Sequence, residues 1–139
     1  MTTQPTTRAL GDAAEARALA YLVARGLLPV ARNYRVARGP RARGGEVDLI
    51  VRDADGTLVF VEVKTRVSHD AGHPADAVDR DKQHRLTRLA MIYLKRHGLL
   101  ETPARFDVIA ITWPANKRRP TIEHFKNAFE PVGQGQMFY

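Results

Sequence analysis

The sequence predicts an α/β fold: a mixed central sheet of about five strands flanked by helices. Three observations carry this. Two stretches, 8–25 and 79–97, repeat apolar residues at helical spacing. Two alternating apolar and charged segments flank the turn signal Asp53-Ala54-Asp55-Gly56. A further apolar run, Phe106-Asp107-Val108-Ile109-Ala110-Ile111, follows the second helical stretch. With so few elements, the sheet buries its apolar faces only if helices cover them.

The first helix is expected from about Arg8–Leu10 to Arg25, with Leu10, Ala14, Ala18, Tyr21 and Leu22 on one side. Gly26 stands where a C-terminal glycine cap belongs. Leu28 to Arg35 reads as a first strand entered through Pro29, and Val36 to Gly44 as an arginine-rich loop. Glu46 to Arg52 is the second strand and Thr57 to Lys64 the third. A period of two puts Leu58, Phe60, Glu62 and Lys64 on one face of the third strand, and Val59, Val61 and Val63 on the other. An irregular connection, 65–77, leads to a second helix capped by Asp79, with Leu86, Leu89, Ala90, Tyr93 and Leu94 as its apolar stripe and Gly98 at its stop. Arg105 to Thr112 is a clean strand, Trp113 to Pro120 a basic loop, and Thr121 to Phe125 a short last strand. Residues 1–7 read as a disordered tail, 8–130 as one domain, and 131–139 as a loose tail.

The chain of 139 residues holds no cysteine, which excludes a disulfide scaffold, a thiolate metal site and a cysteine nucleophile. No signal-peptide core and no apolar run of membrane-spanning length is present, so a cytoplasmic protein without a membrane partner is expected. The net charge of +7 points to a polyanionic partner. Its distribution is sharper than its total. Between Ala16 and Gly45 there is no acid, but Arg17, Arg25, Arg32, Arg35, Arg38, Arg41 and Arg43 are all there. Acids return at Glu46 and crowd through Glu62. A basic block beside an acidic cluster suits a protein that grips phosphates with one surface and a cation with another; a merely solvated basic surface would carry the same total charge.

The hairpin holds the chemistry. Asp48 on one strand, with Glu62 and Lys64 on its partner, brings two carboxylates and an ammonium together. Magnesium wants hard oxygen ligands and keeps several waters. Asp48 and Glu62 are the expected ligands, with the Val63 carbonyl as a third, and Mn2+ should substitute. Lys64 can position a water and stabilise charge on a phosphoryl group. Charged residues at alternate strand positions usually form a solvated face. Here Leu58-Val59-Phe60-Val61 is too apolar for a surface strand, so charges at its end need a reason. Glu15 borders the apolar stripe of the first helix and either joins the site or pairs with Arg17 or Arg25. Glu46 shares the parity of Asp48 and competes with Glu15 as a ligand. Asp107 is expected to be structural, paired with Arg105 or a lysine. The five histidines lack zinc-like spacing, leaving His69 and His73 as possible substrate contacts. Phosphate contacts are assigned to Arg35, Arg38, Arg41, Arg43, Arg66 and Lys82.

These motifs carry a resemblance. Gly11, Glu15, Ala18 and Leu22, then Asn33-Tyr34-Arg35, Gly45-Glu46-Val47-Asp48-Leu49-Ile50, Phe60-Val61-Glu62-Val63-Lys64-Thr65-Arg66, Lys82, Tyr93-Leu94 and Arg105-Phe106-Asp107-Val108 resemble the YraN-like family of bacterial proteins, from about Leu10 to Phe129. That family is grouped with the restriction-endonuclease-like superfamily and is similar to archaeal Holliday-junction resolvases. The resemblance implies a three-layer restriction-endonuclease-like fold. It implies that Asp48, Glu62 and Lys64 match the superfamily's Asp…Glu-x-Lys core, and that Glu15 matches the first-helix glutamate of the resolvase branch. Val47 stands where the superfamily's name-giving motif has proline. The expectation is a magnesium-dependent endodeoxyribonuclease acting on branched DNA, with a homodimer by analogy to resolvases. A nucleic-acid-binding module without turnover, or an interaction protein whose carboxylates serve only the fold, are the alternatives.

Overall fold

The structure, a computed structural model, describes residues 7–36, 45–66, 78–114 and 119–132. Its elements are α1 (Thr7–Ala24), β1 (Leu28–Tyr34), β2 (Val47–Arg52), β3 (Leu58–Arg66), α2 (Arg80–Arg96), β4 (Ala104–Thr112) and β5 (Thr121–Phe129). The five strands form one sheet in the order β1-β2-β3-β4-β5. Only β3 and β4 run parallel; the other neighbours are antiparallel. The parallel pair is joined through α2, as a parallel connection requires.

Both helices stop in the same way. At the end of α1, Gly26 (φ 90°) lets the Leu27 N–H reach Leu22 O at 3.1 Å; at the end of α2, Gly98 (φ 66°) lets the Leu99 N–H reach Leu94 O at 2.7 Å. A side chain would strain either turn. α2 starts as expected: the Asp79 side chain accepts from the Lys82 N–H at 2.8 Å.

The sheet has a helix on each face, the three-layer arrangement the resemblance implies. Ala14, Ala18 and Leu22 of α1 pack on Leu49, Val51, Val59, Val61, Ile109 and Ile111. Leu86, Leu89, Ala90, Tyr93 and Leu94 of α2 pack on Val47, Ile50, Leu58, Phe60, Phe106 and Val108. The alternation read from β3 therefore holds: Leu58 and Phe60 face α2, Val59 and Val61 face α1. Aromatic rings link the α2 layer, with Tyr34 edge-on to Tyr93 at 5.1 Å and Phe106 stacked on Phe129 at 4.7 Å. Leu10, assigned to the α1 stripe, is instead 47% exposed, because the packed stripe begins one turn later at Ala14.

Two strand ends differ from expectation. β3 does not end at Lys64 but runs to Arg66, with Thr65 and Arg66 paired to Ile111 and Thr112. β5 does not end at Phe125 but runs to Phe129, across a register shift opposite Phe106/Val108. Asn127, with φ 51°, absorbs the irregularity, and its N–H donates to Asp107 Oδ1 at 3.0 Å. Val132, assigned to the tail, is instead buried, and its N–H donates to Thr87 Oγ1 of α2 at 3.1 Å. Residues 1–6 and 133–139, also assigned to tails, lie outside the described residues.

Asp107 is the polar anchor of this half of the sheet. It is fully buried and takes hydrogen bonds from Arg105 Nε (3.0 Å), His124 Nε2 (2.8 Å) and the Asn127 N–H. Arg105 extends the network to Asp53 at 2.9 Å. Burial alone would raise the Asp107 pKa, but the bonds from His124, Arg105 and Asn127 outweigh it and hold the carboxyl below its ordinary range. Removing one member of a buried pair strands the other charge, at a cost of about 3–5 kcal/mol. Arg105 keeps Asp53, so Asp107→Ala is expected to lower the unfolding free energy by about 3 kcal/mol, read from urea denaturation. The contribution should persist through neutral pH and fall away only as acid protonates Asp107, because its folded pKa lies below the unfolded value.

Candidate active site

β2 and β3 stay paired from Arg52↔Leu58 to Leu49↔Val61. One residue further, the backbone ladder is replaced by a side chain: Asp48 Oδ2 accepts the Val63 N–H at 2.8 Å. The strands part here, and the opening is reachable from both layers. A cavity of ≈ 290 Å³ sits at this rim, with Gly11, Ala14 and Glu15 of α1 on its wall, Asp48 of β2, Glu62, Val63, Lys64 and Thr65 of β3, and Lys82 of α2. The residues expected to form a site are thus brought together: Glu15, Asp48, Glu62, Val63 and Lys64 line one cavity.

The environment of each group differs. Glu62 is buried, and its Oε1 is held by Lys82 Nζ at 2.5 Å. Lys82 is therefore a site residue and the counter-ion of Glu62. The N-cap that fixes the first turn of α2 also fixes the backbone from which this lysine reaches the sheet. Lys64 is half-buried and makes no ion pair among the described residues. Its ammonium is thus free to meet a ligand in the cavity. Val63 has its N–H turned to Asp48, and in extended backbone the carbonyl of the same residue projects to the same edge.

Asp48 carries the strain of the site. Burial, the nearby Glu62 carboxylate and Glu15 push its pKa up to about 8, against the opposing bond from the Val63 N–H. The protonated form of Asp48 is thereby favoured, hydrogen-bonded to Glu62. Glu15 is 8% exposed, and it does not pair with Arg17 or Arg25. Burial and the Glu46 carboxylate raise its pKa, with Arg32 opposing. Among the described residues, Glu15, Glu46 and Asp48 offer oxygens that all lie within 4.8 Å of one another. Glu46, weighed against Glu15 as a ligand, thus stands beside it. A second open hollow of ≈ 490 Å³, sharing Gly11 and Glu15 with the first, is lined by Asp12, Asn33, Arg35 and Glu46.

The assigned phosphate contacts divide. Arg35 is largely exposed and donates from Nε to Glu46 Oε2 at 2.8 Å. Arg66 has a side chain only 15% exposed, turned to Thr112 and Glu123. Arg38, Arg41 and Arg43, with His69 and His73, lie outside the described residues. Sequence reasoning gave no role to Asn33, whose φ of 52° inside β1 is a left-handed conformation facing the same acids. The available signal was an asparagine within a strand-like run, where its propensity is poor and a backbone irregularity is the usual reason.

An aspartate that titrates near 4 when unfolded and about 8 when folded makes the folded chain bind the extra proton between those values. Stability in chelator should accordingly fall as pH rises from about 4 to about 8 and level off above. Asp48→Asn mimics the protonated acid. It should flatten that dependence and melt higher than the wild-type chain at pH 9, by differential scanning fluorimetry.

With the geometry described, comparison with known proteins places the chain. The uncharacterised protein family UPF0102 matches residues 14–111. A UPF0102 protein of Methylibium petroleiphilum is 58% identical over 106 residues, covering 76% of this chain and 86% of the relative. One of Rhodopirellula baltica is 50% identical over 100 residues, covering 70% and 60%, and one of Trichlorobacter lovleyi is 43% identical over 123 residues, covering 88% and 91%. Among solved structures, the EndoMS–dsDNA2 complex aligns with a TM-score of 0.42 at 20% identity, covering 76% of this chain and 37% of that one. Pyrococcus furiosus SfsA in complex with Ca2+ aligns with a TM-score of 0.35 at 15% identity, covering 86% and 61%. The family match and the curated relatives together establish that the chain belongs to the UPF0102, or YraN-like, family.

Proposed function

We propose that this protein is a divalent-cation-dependent endonuclease that hydrolyses phosphodiester bonds in DNA, with branched DNA as its substrate class. One observation carries the reading: Asp48, Glu62, Glu15 and Lys64, which has no ion pair among the described residues, meet in a single cavity at the rim of the sheet. Structural carboxylates are normally neutralised by a partner, as Asp107 is by Arg105 and His124. At the rim the chain does the opposite and assembles more acids than it can neutralise, leaving Asp48 to hold a proton near pH 8. A magnesium ion fits that imbalance, since the donors are all oxygen and those of Glu15, Glu46 and Asp48 lie within 4.8 Å of one another.

Asp48 would hold the cation together with Glu62, Glu15 or Glu46, which lie around it, and the Val63 carbonyl would add an uncharged oxygen. When bound, the cation supplies Lewis acidity and a water of lowered pKa. Lys64 does the chain's own work: its ammonium holds the attacking water and stabilises charge on the phosphoryl oxygens. Lys82 orients Glu62 through its ion pair. Hydrolysis should leave 5′-phosphate and 3′-hydroxyl ends. Mn2+ should replace Mg2+. Branched DNA and a homodimer rest on the resolvase likeness, and a cytoplasmic setting is part of the same reading. The net charge of +7 supports a polyanionic substrate.

The test is incubation with nicked, flapped, four-way and single-stranded DNA in Mg2+ or Mn2+. Lys64→Ala should lower cleavage by about 100-fold or more while leaving DNA binding in chelator within about three-fold. Binding of every substrate with cleavage of none, in either metal, would make the protein a binding module. Binding that changes little between low and moderate salt would remove the phosphate contacts.

A further inference from the structure

The motif Asn33-Tyr34-Arg35 spans the end of β1, the edge strand, and the residue after it, yet its outer two residues serve the acids at the rim. Arg32 and Tyr34 pair with Leu49 and Val47, so Asn33 stands across from Asp48. Its φ of 52° puts a non-glycine residue in the left-handed region within a strand. Asparagine tolerates that conformation better than other side chains do. Such strain persists only where the surroundings over-determine it, commonly beside a functional group.

The surroundings here are two carboxylates. With its amide turned so that the nitrogen faces the acids, Asn33 donates to Glu15 Oε1 at 2.7 Å and to Glu46 Oε1 at 3.2 Å; the opposite orientation sets an oxygen against both. Glu46 is thereby held at both ends, Oε1 by Asn33 and Oε2 by Arg35 at 2.8 Å. Glu15 is anchored on α1 and Glu46 just before β2, so no element of secondary structure fixes their separation. One amide group from a third element does so, and the two like charges stay beside Asp48 instead of splaying apart.

We infer that Asn33 is a positioning residue: its left-handed backbone aims one amide between Glu15 and Glu46 and sets the spacing at which they and Asp48 accept a divalent cation. The inference rests on the cation-binding reading above and adds that the acid geometry is built by a neutral residue of the edge strand. Asn33 touches neither cation nor phosphate; it acts through the two acids it bridges.

Asn33→Gly is the direct test, because glycine keeps the left-handed backbone and removes only the amide. Mn2+ affinity is measured on full-length protein by electron paramagnetic resonance of the free ion, beside thermal unfolding in chelator. The expected result is an unfolding midpoint within about 3 °C of the wild type and Mn2+ binding weakened by about ten-fold, the effect of losing a group that orients ligands. In a Glu46→Gln background, where one of the two bridged carboxylates is already gone, the same step should cost less than about three-fold. A lowered midpoint with unchanged Mn2+ affinity overturns the inference, as does a full ten-fold step in both backgrounds. Wild-type protein that binds no Mn2+ overturns it together with the cation reading. Weakened Mn2+ binding in a protein that cuts no DNA leaves this inference standing and removes the nuclease alone.

Discussion

The constraint on which this structure turns is the assembly of like charges in a place with too few counter-charges. Four carboxylates, those of Glu15, Glu46, Asp48 and Glu62, meet at the rim where β2 leaves β3. Each is restrained by something that neutralises it only in part. Asp48 takes the Val63 N–H, Glu62 takes Lys82, Glu46 takes Arg35, and Glu15 takes the amide of Asn33. Two charged donors and two neutral ones do not balance four acids in a half-buried place. Burial first, and then the neighbouring carboxylates, raise the pKa of Asp48 and of Glu15, which is the direction in which an added cation would be favoured.

The rest of the fold makes that assembly mechanically possible. The core layers are apolar without interruption from Leu58 to Val61, and α1 and α2 grip opposite faces of the sheet. The site lies where the layers end, so α1 supplies an acid and α2 a base to the same opening without either crossing the sheet. At β4 and β5 the buried charges of Arg105 and Asp107 answer each other and lock the irregular stretch at Asn127. The two polar centres are built on opposite principles. One is balanced and serves rigidity; the other is unbalanced and has a use for an added ion.

How far all this was legible follows from the range over which each signal acts. Parity within one strand is local, so the shared face of Leu58, Phe60 and Glu62 could be read directly, and so could the Asp79 cap and the glycine stops. The Asp107–Arg105 pair was legible because two residues on one strand face are neighbours by construction. What stayed hidden depends on how elements cross. Lys82 looks like any basic residue in a first helical turn until α2 is laid over β3, at which point it meets Glu62. Arg66 looks like a surface grip until β5 brings Glu123 beside it. β5 outlasted its expected end because its irregularity is held by a side chain from β4, information absent from residues 121–129 themselves.

The contrast between the two lysines of the site argues for division of labour over redundancy. Lys82 stands in the first turn of a helix, where the backbone field disfavours a cation, and Glu62 compensates by holding it. An ammonium fixed in this way can orient its partner but has little freedom to follow a moving charge. Lys64 leaves β3 two residues after Glu62, on the same side, and is spared such a partner among the described residues. An unpaired, half-buried ammonium is costly to keep unless a ligand completes it. A phosphate is the anion that a chain of this charge would most readily bring to the rim, and it would satisfy Lys64 while leaving the Lys82–Glu62 pair intact. The asymmetry is the one the proposed nuclease would need: Lys82 holds Glu62, and Lys64 makes no ion pair among the described residues.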